Sequence, residues 1–466
     1  MAKIRFLLNG KEITLENPDP TGSVLDWLRD TKHLTGTKEG CNEGDCGACS
    51  VSLASLEDGV LTHRAVNSCI LFLPHLHGKS LTTVEGLAKD GNLHPVQSAM
   101  VEHHGSQCGF CTPGIIMSLY AAHQQGRQDH NDILAGNLCR CTGYAPIQRA
   151  AQAAAQQPRV GLQFDEAAML TKLQSDNNQI NGAYIPTDLD DFASWYAGHP
   201  DATLIAGATD IGLQVTKALR EFPNVAFLNR LDALKAITQE QDGLRIGAGV
   251  TIARLRGAMI GKHSDFSEML RRYGSVQVRN SGTIGGNIAN GSPIGDGPPP
   301  LIALGASITL RRADKRRVLL LEDYYIEYGK QNRQPGEFLE SIFIPDQPDI
   351  VGVYKVSKRF DQDISAVCGA FNISVENDRI TDARLAFGSM AATPKRAKTV
   401  ETALIGQPWN ETTIKAAMQK FNDDFTPLSD VRSSAVYRLK LVQNLLWRYW
   451  LARNGQTANV LTEMAK

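Results

Sequence analysis

The chain has 466 residues, 42% of them hydrophobic and 21% charged, and its formal net charge is −1. A length of this order predicts about three domains. The balanced charge excludes the sequence-wide basic field that collects on nucleic acids. No run approaches the roughly 20 apolar residues that span a bilayer, and the N-terminus lacks the apolar core of a signal peptide. We therefore expect a soluble, cytoplasmic protein with neither a nucleic-acid nor a membrane partner.

The first 84 residues have the pattern of a small mixed α/β domain. Two strand-like runs, 3–8 and 11–16, flank Asn9-Gly10, a dipeptide typical of a type I′ hairpin turn. Ser23 is placed to cap a following helix. The apolar face of that helix would consist of Val24, Leu25, Leu28 and Leu34.

The next segment, 85–158, has a sequence pattern typical of helices. His94-Pro95 opens one helix, Pro113 lies in the first turn of a second, and Ala150 to Ala155 continue a third. Residues 159–178 are polar and predict a linker that crosses a surface. Beyond it we expect one α+β domain over 179–345 and another over 346–466, which ends in an amphipathic helix near 435–452.

The nine cysteines are crowded at one end of the chain. Eight lie within the first 141 residues, and the rest of the chain holds only Cys368. Secreted disulfide scaffolds are usually short, so crowding in a chain of this length indicates metal ligation. We interpret Cys368 as a small buried apolar residue.

The first cysteine set has the spacing C-x4-C-x2-C with a fourth cysteine further on. This is the plant-type ferredoxin spacing for a [2Fe–2S] cluster, and nearby glycines permit the backbone angles of a loop that wraps a cluster. The alternatives are four buried structural cysteines or a zinc site, and zinc sites favour paired C-x2-C knuckles over this spacing. The predicted ligands are Cys41, Cys46, Cys49 and Cys69.

The second set combines a C-x2-C pair with a C-x-C pair. A C-x2-C alone could be a thioredoxin-like redox pair or half a zinc site. The C-x-C partner weakens both alternatives and favours a second [2Fe–2S] cluster. Two clusters in series imply electron transfer, and the predicted ligands are Cys108, Cys111, Cys139 and Cys141.

These motifs resemble a known family. The ferredoxin-like motif, then 107–114 (QCGFCTPG) and 137–144 (NLCRCTGY), are similar to the iron–sulfur part of the molybdenum hydroxylases, the xanthine dehydrogenase family. Residues 204–212 (LIAGATDIG) and 282–287 (GTIGGN) resemble the two flavin-binding stretches of that family. The likeness covers essentially the whole chain, and the order of its parts resembles the small subunit of the bacterial members.

The resemblance implies a multidomain α+β protein. It would contain a β-grasp [2Fe–2S] domain, an all-α four-helix [2Fe–2S] domain, an FAD-binding domain of the vanillyl-alcohol-oxidase/PCMH type and a C-terminal α+β subdomain. Because no molybdopterin domain follows Lys466, we expect the substrate-oxidising centre on a separate large subunit, in an (αβ)2 heterotetramer. No catalytic residue for substrate oxidation is then expected on this chain.

The implied flavin site has a physical basis in the residues. An FAD pyrophosphate needs clustered backbone N–H groups and helix N-termini. The small residues 206–212 and the glycines at 285–286 can supply these groups. Glycine-rich turns are, however, also common without a ligand. The resemblance assigns to the flavin Leu204, Ile205, Ala206, Gly207, Ala208, Thr209, Asp210, Ile211, Tyr273, Thr283, Gly286, Asn287, Asp296 and Lys355.

Several of these positions have an alternative interpretation. A lone Tyr such as Tyr273 is often half-buried packing, and a lysine such as Lys355 is often exposed at a strand edge. By resemblance, the loop 358–363 lies beside the flavin and nicotinamide site, and Gln362 replaces an acid of the mammalian enzymes. Gln107 would face the molybdopterin of the partner.

The resulting hypothesis is the electron-transfer subunit of a xanthine dehydrogenase. It would pass electrons from the molybdopterin subunit through both clusters to FAD and then to NAD⁺, during hypoxanthine and xanthine oxidation in purine catabolism. A second hypothesis is another molybdenum hydroxylase that oxidises an aldehyde, carbon monoxide or an N-heterocycle. A third is a non-enzymatic redox sensor, which would usually carry a DNA-binding element that the sequence does not display.

Overall fold

The computed structural model describes residues 3–161, 165–173, 178–180 and 183–456. The chain forms two compact units. Unit 1 comprises Met1–Trp195, His199–Asp232 and Gly274–Thr283, and unit 2 comprises Tyr196–Gly198, Ala233–Tyr273 and Ile284–Lys466. None of the described helices is both long and apolar enough to cross a membrane.

Unit 1 begins with a five-stranded sheet in the order β2-β1-β5-β3-β4. Its first hairpin turns at Asn9 and Gly10, whose φ angles of 50° and 82° confirm the predicted type I′ turn. Strands β1 and β5 are parallel, and the other pairs are antiparallel. The strands are β1 (Lys3–Leu8), β2 (Lys11–Glu16), β3 (Ser50–Glu57), β4 (Val60–Asn67) and β5 (Ser80–Thr82).

One face of this sheet buries a short helix. Alternate residues of β1, Ile4 and Phe6, are fully buried against Val24 and Trp27. As predicted, the Ser23 side chain caps the helix by accepting a hydrogen bond from the Asp26 amide at 3.0 Å. The α-helix is only Val24–Asp26 and continues as a π-helical turn, Trp27–Thr31.

The helical part of unit 1 follows, and its helices begin where the prolines predict. Pro95 and Pro113 lie in the first turns of two of them. The shared core includes Val96, Ile115 and Ile147. The helices are Pro95–Glu102, Thr112–Gln125, His130–Leu134 and Ala145–Ala155.

The predicted surface linker differs from the structure. Part of it forms the helix Glu166–Leu173, which buries Leu170 and Leu173 against Leu7 of the sheet. The sequence did not indicate this packing, because the apolar side chains at i and i+3 of the helix stand among polar neighbours. Residues 162–164 and 174–177 of the predicted linker lie outside the described residues.

A second sheet of unit 1 has the order β6-β7-β9-β8, with β9 parallel to both β7 and β8. Its residues Ile205 and Phe227 share a core with Phe72 of the N-terminal part. The strands are β6 (Asn178–Ile180), β7 (Ala183–Ile185), β8 (Thr203–Ile205) and β9 (Val225–Phe227). Helices Ile211–Thr216 and Val276–Ser281 belong to the same unit, and the helix Leu189–Gly198 ends at its boundary.

Unit 2 contains an antiparallel sheet in the order β10-β11-β16-β12-β13 and a separate hairpin of β14 and β15. The sheet strands are β10 (Ile237–Glu240), β11 (Gly243–Gly247), β12 (Ser307–Arg312), β13 (Lys315–Leu320) and β16 (Phe338–Pro345), and the hairpin strands are β14 (Tyr325–Glu327) and β15 (Lys330–Gln331). The accompanying helices are Ile252–Met259, Ser264–Arg271, Ile284–Ala289 and Pro298–Ala303.

The last part of unit 2 is an antiparallel sheet covered by helices. Its order is β17-β18-β19-β20. The predicted terminal helix is present as Ala435–Arg453, and it buries Val442, Leu446 and Tyr449 in the core of this part. The strands are β17 (Gly352–Val356), β18 (Val367–Glu376), β19 (Arg379–Gly388) and β20 (Lys395–Arg396), and the other helices are Lys398–Leu404, Glu411–Met418 and Phe421–Asp424.

Candidate functional site

The first cysteine set lies on the loop before β3 and directly after β4. Cys49 and Cys69 are buried, with their Sγ atoms 3.3 Å apart. Cys41 and Cys46 form the second close pair, since the Cys46 sulfur accepts a hydrogen bond from the Cys41 amide at 3.3 Å. The Cys41 sulfur in turn accepts from the amides of Asp45 and Cys46 at 3.4 and 3.3 Å. The loop therefore directs backbone amides at its sulfurs.

These hydrogen bonds favour the thiolate on one member of each pair. The thiol of Cys46, together with backbone amides, lowers the pKa of Cys41 to about 5. Likewise the thiol of Cys69 lowers the pKa of Cys49. The pKa values of Cys46 and Cys69 are raised because each donates to its neighbour. The thiolate is the form that binds metal. These contacts therefore favour it on Cys41 and Cys49, whereas Cys46 and Cys69 would lose their protons on binding.

The second set joins the starts of two helices. Cys108 and Cys111 precede the helix Thr112–Gln125, while Cys139 and Cys141 lie before Ala145–Ala155. Cys108 is within hydrogen-bonding reach of Cys141, and Cys111 of Cys139. Cys139 is buried, Cys111 is half-buried, and Cys108 and Cys141 are exposed. One end of this set therefore faces the surface of unit 1.

Tyr144 fixes the C-x-C loop of the second cysteine set. It has a positive φ of 67°, and its hydroxyl accepts a hydrogen bond from the Cys139 amide at 2.8 Å and donates to the Asn137 carbonyl at 2.9 Å. The sequence motif included this tyrosine, but the pattern alone did not show that its ring reaches back over the loop.

The two cysteine loops are in direct contact. The Leu138 amide donates to the Cys46 carbonyl at 2.9 Å, and Asn137 Nδ2 donates to the Gly47 carbonyl at 2.9 Å. Gly47 has φ of 71°, and a Cβ at this position would lie 2.0 Å from the Gly136 carbonyl oxygen. Glycine is therefore required both for the turn and for the close approach of the loops.

The donor set fits two binuclear clusters. In a [2Fe–2S] cluster each iron takes two cysteine sulfurs, and four thiolates hold the cluster. The sulfurs here come together in pairs, which matches two cysteine sulfurs on each iron.

The first flavin-like stretch, Leu204–Ile211, runs from the end of β8 through a loop into the helix Ile211–Thr216, as predicted. In the loop, Ala208 has a positive φ of 58°. A Cβ on Gly207 would lie 1.8 Å from the Ser281 carbonyl oxygen, so the loop packs directly on the segment that leads to Thr283.

This stretch also contacts the first cysteine set. Nε2 of buried His75 donates to the Ala206 carbonyl at 2.8 Å. A Cβ on Gly212 would lie 2.7 Å from the Ile70 Cβ, directly after Cys69. Thr216 Oγ1 donates to the Asn42 carbonyl, next to Cys41, at 2.8 Å. The sequence analysis missed His75, because nothing in its local pattern distinguishes it from other histidines.

The remaining flavin-like residues lie in unit 2, where Asn287 organises one group. Its Nδ2 donates to the Tyr273 hydroxyl at 3.0 Å, and its Oδ1 accepts from the Gly297 amide at 3.1 Å. Gly286 precedes it in the helix Ile284–Ala289. Tyr273 thus has a specific polar contact besides packing.

Lys355 and Asp296 form a buried ion pair. Lys355 Nζ lies 2.5 Å from Asp296 Oδ2 and 2.9 Å from Ser365 Oγ, and Ser365 donates to Asp296 Oδ1 at 2.6 Å. The lysine side chain is 1% exposed, so the interpretation as an exposed edge lysine was wrong. Sequence analysis missed Ser365, a single serine without a motif. Cys368 is buried as predicted.

Arg272 supports the loop 358–363. Its guanidinium lies 4.1 Å from the ring centroid of Phe360 and donates to the carbonyls of Lys355 and Phe360 at 2.7 and 2.9 Å. Within the loop, Arg359 pairs with Asp363 at 2.9 Å, and Gln362 has a positive φ of 62°. Gln107 of unit 1 is exposed.

Comparison with known proteins gives four family matches in chain order. They are "2Fe-2S iron-sulfur cluster binding domain" over residues 6–73, "[2Fe-2S] binding domain" over 83–152, "FAD binding domain in molybdopterin dehydrogenase" over 177–347 and "CO dehydrogenase flavoprotein C-terminal domain" over 352–452.

Similar proteins include the xanthine dehydrogenases of Drosophila subobscura and Dictyostelium discoideum, each 30% identical over 96% and 97% of this chain. The chain spans 39% and 41% of their lengths. Among solved structures, reconstituted CO dehydrogenase from Oligotropha carboxidovorans is 26% identical with a TM-score of 0.53, covering 57% of this chain and 94% of that one. Quinoline 2-oxidoreductase from Pseudomonas putida 86 shares the fold, with 24% identity, a TM-score of 0.54 and coverage of 58% and 95%.

The fold and the cysteine and glycine motifs define an iron–sulfur flavoprotein that carries electrons, with the predicted ferredoxin-type, helical, PCMH-type FAD-binding and C-terminal flavoprotein parts. The chain belongs to the molybdenum hydroxylases and represents their iron–sulfur and FAD part.

Proposed function

We propose that the chain is the electron-transfer subunit of a cytoplasmic xanthine dehydrogenase, which works with a molybdopterin-bearing large subunit in an (αβ)2 heterotetramer. Hypoxanthine and xanthine would be oxidised on that partner, and NAD⁺ would be reduced at this chain. The similarity to xanthine dehydrogenases over nearly the whole chain supports this assignment.

The observation that carries the proposal is the contact between the two cysteine loops. Bound iron–sulfur clusters would supply one-electron transfer, and the Leu138–Cys46 hydrogen bond joins the backbones of the proposed ligand loops. The segments that hold Cys41 and Cys69 also contact the end of the flavin-like stretch at Gly212 and the helix that follows it at Thr216. Unit 1 thus offers a continuous covalent and hydrogen-bonded connection between the three proposed cofactor loops.

A partner surface is supported beside the second cysteine set. Cys108 and Cys141 are exposed, and the neighbouring side chains Phe110 and Leu138 are 48% and 38% exposed. Exposed apolar side chains at a redox centre are typical of a surface that another subunit covers. We propose that this surface and Gln107 face the molybdopterin subunit.

For the domains, we propose boundaries at 1–84, 85–158, a linker 159–178, 179–345 and 346–466. The four family matches fall inside these ranges to within a few residues, which supports them. We also propose that the residues named in the sequence analysis hold the flavin. Of these, Leu204–Ile211 and Thr283 belong to unit 1, and Tyr273, Gly286, Asn287, Asp296 and Lys355 belong to unit 2.

Cysteine substitutions test the ligand sets. In the dithionite-reduced chain we expect two paramagnetic resonance signals, of which Cys41→Ser removes one and Cys111→Ser the other. Cys368→Ser is the matched control, because this buried thiol lies in unit 2, and both signals should survive. Retention of both signals in Cys41→Ser or Cys111→Ser would contradict that ligand assignment.

The substrate and the electron acceptor are tested on the complex of this chain with its large subunit. Co-purified with its large subunit, the protein should form NADH when xanthine is added. If carbon monoxide, an aldehyde or an N-heterocycle is oxidised instead, the electron-transfer role stands and the xanthine assignment is wrong. If xanthine is oxidised with O₂ but without NADH, the NAD⁺ assignment alone is wrong.

A further inference from the structure

We propose that Gln277 is a positioning residue that locks the two cysteine loops together and thereby sets the coupling between the two clusters. This inference rests on the proposed ligand sets. Gln277 lies on the helix Val276–Ser281, far along the chain from either set, yet it belongs to the same unit and is 1% exposed.

The side-chain amide of Gln277 sits at the junction of the loops. Its Nε2 is 3.0 Å from Ser50 Oγ, 3.0 Å from Ser118 Oγ, 3.1 Å from Asn137 Oδ1 and 3.5 Å from the Gly136 carbonyl oxygen. One buried nitrogen therefore reaches acceptors on both sides of the junction.

Each of these acceptors belongs to a segment of the chain that also carries a proposed ligand. Ser50 directly follows Cys49, and Asn137 precedes Cys139 by two residues. Ser118 lies on the helix that begins directly after Cys111. Gln277 thus contacts one segment of the first set and two segments of the second.

The neighbouring contacts close a network around the amide. Asn137 Nδ2 donates to the Gly47 carbonyl at 2.9 Å, and Ser50 Oγ donates to the same carbonyl at 2.7 Å. Gly47 lies between Cys46 and Cys49. A shift of Gln277 would therefore be transmitted through Asn137 and Ser50 to the segments that carry ligands of both sets.

Close packing leaves the amide little freedom. A Cβ on Gly136 would lie 2.0 Å from Gln277 Oε1, and a Cβ on Gly114 would lie 2.3 Å from the Gly47 carbonyl oxygen. The loops can approach this closely only because both positions are glycine. The amide fills the remaining space between them.

Stability alone does not account for a glutamine at this position. Among the described residues, Gln277 Oε1 has no hydrogen-bond partner, and a buried acceptor without a partner destabilises the folded state. A methionine would fill a similar volume without that penalty. What it would not supply is the donor that holds Ser50, Ser118 and Asn137 together.

The same short helix extends the connection towards the flavin-like stretch. Asn280 Nδ2 donates to the Ala65 carbonyl of β4 at 2.9 Å, and the Ser281 carbonyl abuts Gly207. A change at Gln277 should therefore affect the clusters first, because its hydrogen bonds are to segments that carry the cysteines.

The test compares the full-length wild type with Gln277→Met, each with its iron and flavin content determined. We expect full iron and flavin in the variant, a changed magnetic interaction between the two reduced clusters in its paramagnetic resonance spectrum, and a several-fold slower electron transfer from the second cluster to the first after flash reduction. Gln152→Met, an exposed glutamine of the helix Ala145–Ala155, is the matched control and should behave as wild type.

Ser118→Ala provides an independent check if Gln277→Met does not fold. It removes one acceptor of Gln277 and leaves the amide in place, so we expect a smaller spectral change in the same direction. Unchanged spectra and rates at full iron content, in whichever of the two variants folds, would overturn the role of Gln277. If the wild type itself shows fewer than two cluster signals, it is the proposed ligand sets that fail.

Discussion

At the scale of single residues, burial of an ionisable group determines its protonation state. His75 is 3% exposed and lies between Phe72 and Phe227, with its ring centroid 5.1 Å from that of Phe227. Burial, with a smaller contribution from the charge of Lys79, lowers the pKa of His75 from 6.5 to about 4. The imidazole is therefore neutral at physiological pH and donates its Nε2 hydrogen to the Ala206 carbonyl.

This burial predicts a loss of stability in acid. Between pH 6.5 and about 4 the unfolded chain binds a proton at His75 that the folded chain does not, so stability is complete above 6.5 and falls as the pH decreases. A shift of this size corresponds to on the order of 3 kcal/mol. Urea denaturation of wild type and His75→Phe at about pH 7 and about pH 5 measures it.

We expect His75→Phe to lose less stability between the two pH values than the wild type, because the phenyl ring cannot be protonated. His199→Phe is the control, since His199 is exposed and stacks on Trp195. Equal acid sensitivity of wild type and His75→Phe would show that His75 is already protonated in the folded chain or remains neutral in the unfolded one.

At the scale of elements, the loop between β8 and the helix Ile211–Thr216 depends on close backbone contact. The Gly207 position admits no side chain, because a Cβ would overlap the Ser281 carbonyl oxygen at 1.8 Å. Neither backbone segment can move away from this contact easily. His75 is hydrogen-bonded to the Ala206 carbonyl, and Asn280, next to Ser281, is hydrogen-bonded to β4. The loop geometry thus depends on three segments that are distant in sequence.

Gly207→Ala should therefore release flavin while leaving both clusters in place. We expect the ratio of acid-released flavin to cluster iron to fall at least several-fold relative to wild type. Gly257→Ala is the matched control, because a Cβ at this helical position meets no atom within 4 Å. Loss of iron in parallel with flavin would instead indicate general misfolding of unit 1.

At the scale of the whole molecule, the proposed cofactor ligands are distributed unequally. Unit 1 holds all eight cysteines of the two sets, and unit 2 holds only Cys368. A ligand that binds only the folded state stabilises the part that binds it. Iron should therefore stabilise unit 1, while unit 2 depends on its own hydrophobic cores.

Removal of iron with a chelator under reducing conditions should make unit 1 sensitive to protease. Limited proteolysis followed by mass spectrometry is expected to give early cleavage sites in 3–161 and few in 284–456. Protein incubated with the chelator's calcium complex serves as the control. Simultaneous cleavage throughout both ranges would contradict an independent contribution of iron to unit 1.

The sequence by itself determined the features that depend on local spacing. These are the cysteine sets, the Asn9-Gly10 hairpin, the helix starts at Pro95 and Pro113, and the order of the four parts. Local spacing is sufficient for the first three, because turn geometry, helix capping and ligand spacing act over a few residues. The expectation that glycines near the first cysteine set permit unusual backbone angles belongs here too, and Gly47 has a φ of 71°.

Only the tertiary structure decided how distant residues meet. It buried Lys355 against Asp296 and Ser365, placed Gln277 between the cysteine loops, and packed Glu166–Leu173 on the sheet. No periodicity encodes such contacts, because each joins segments separated by tens to hundreds of residues and depends on the burial of both. The candidate ligands therefore follow from the sequence alone, whereas the contacts that position those cysteines required the tertiary structure.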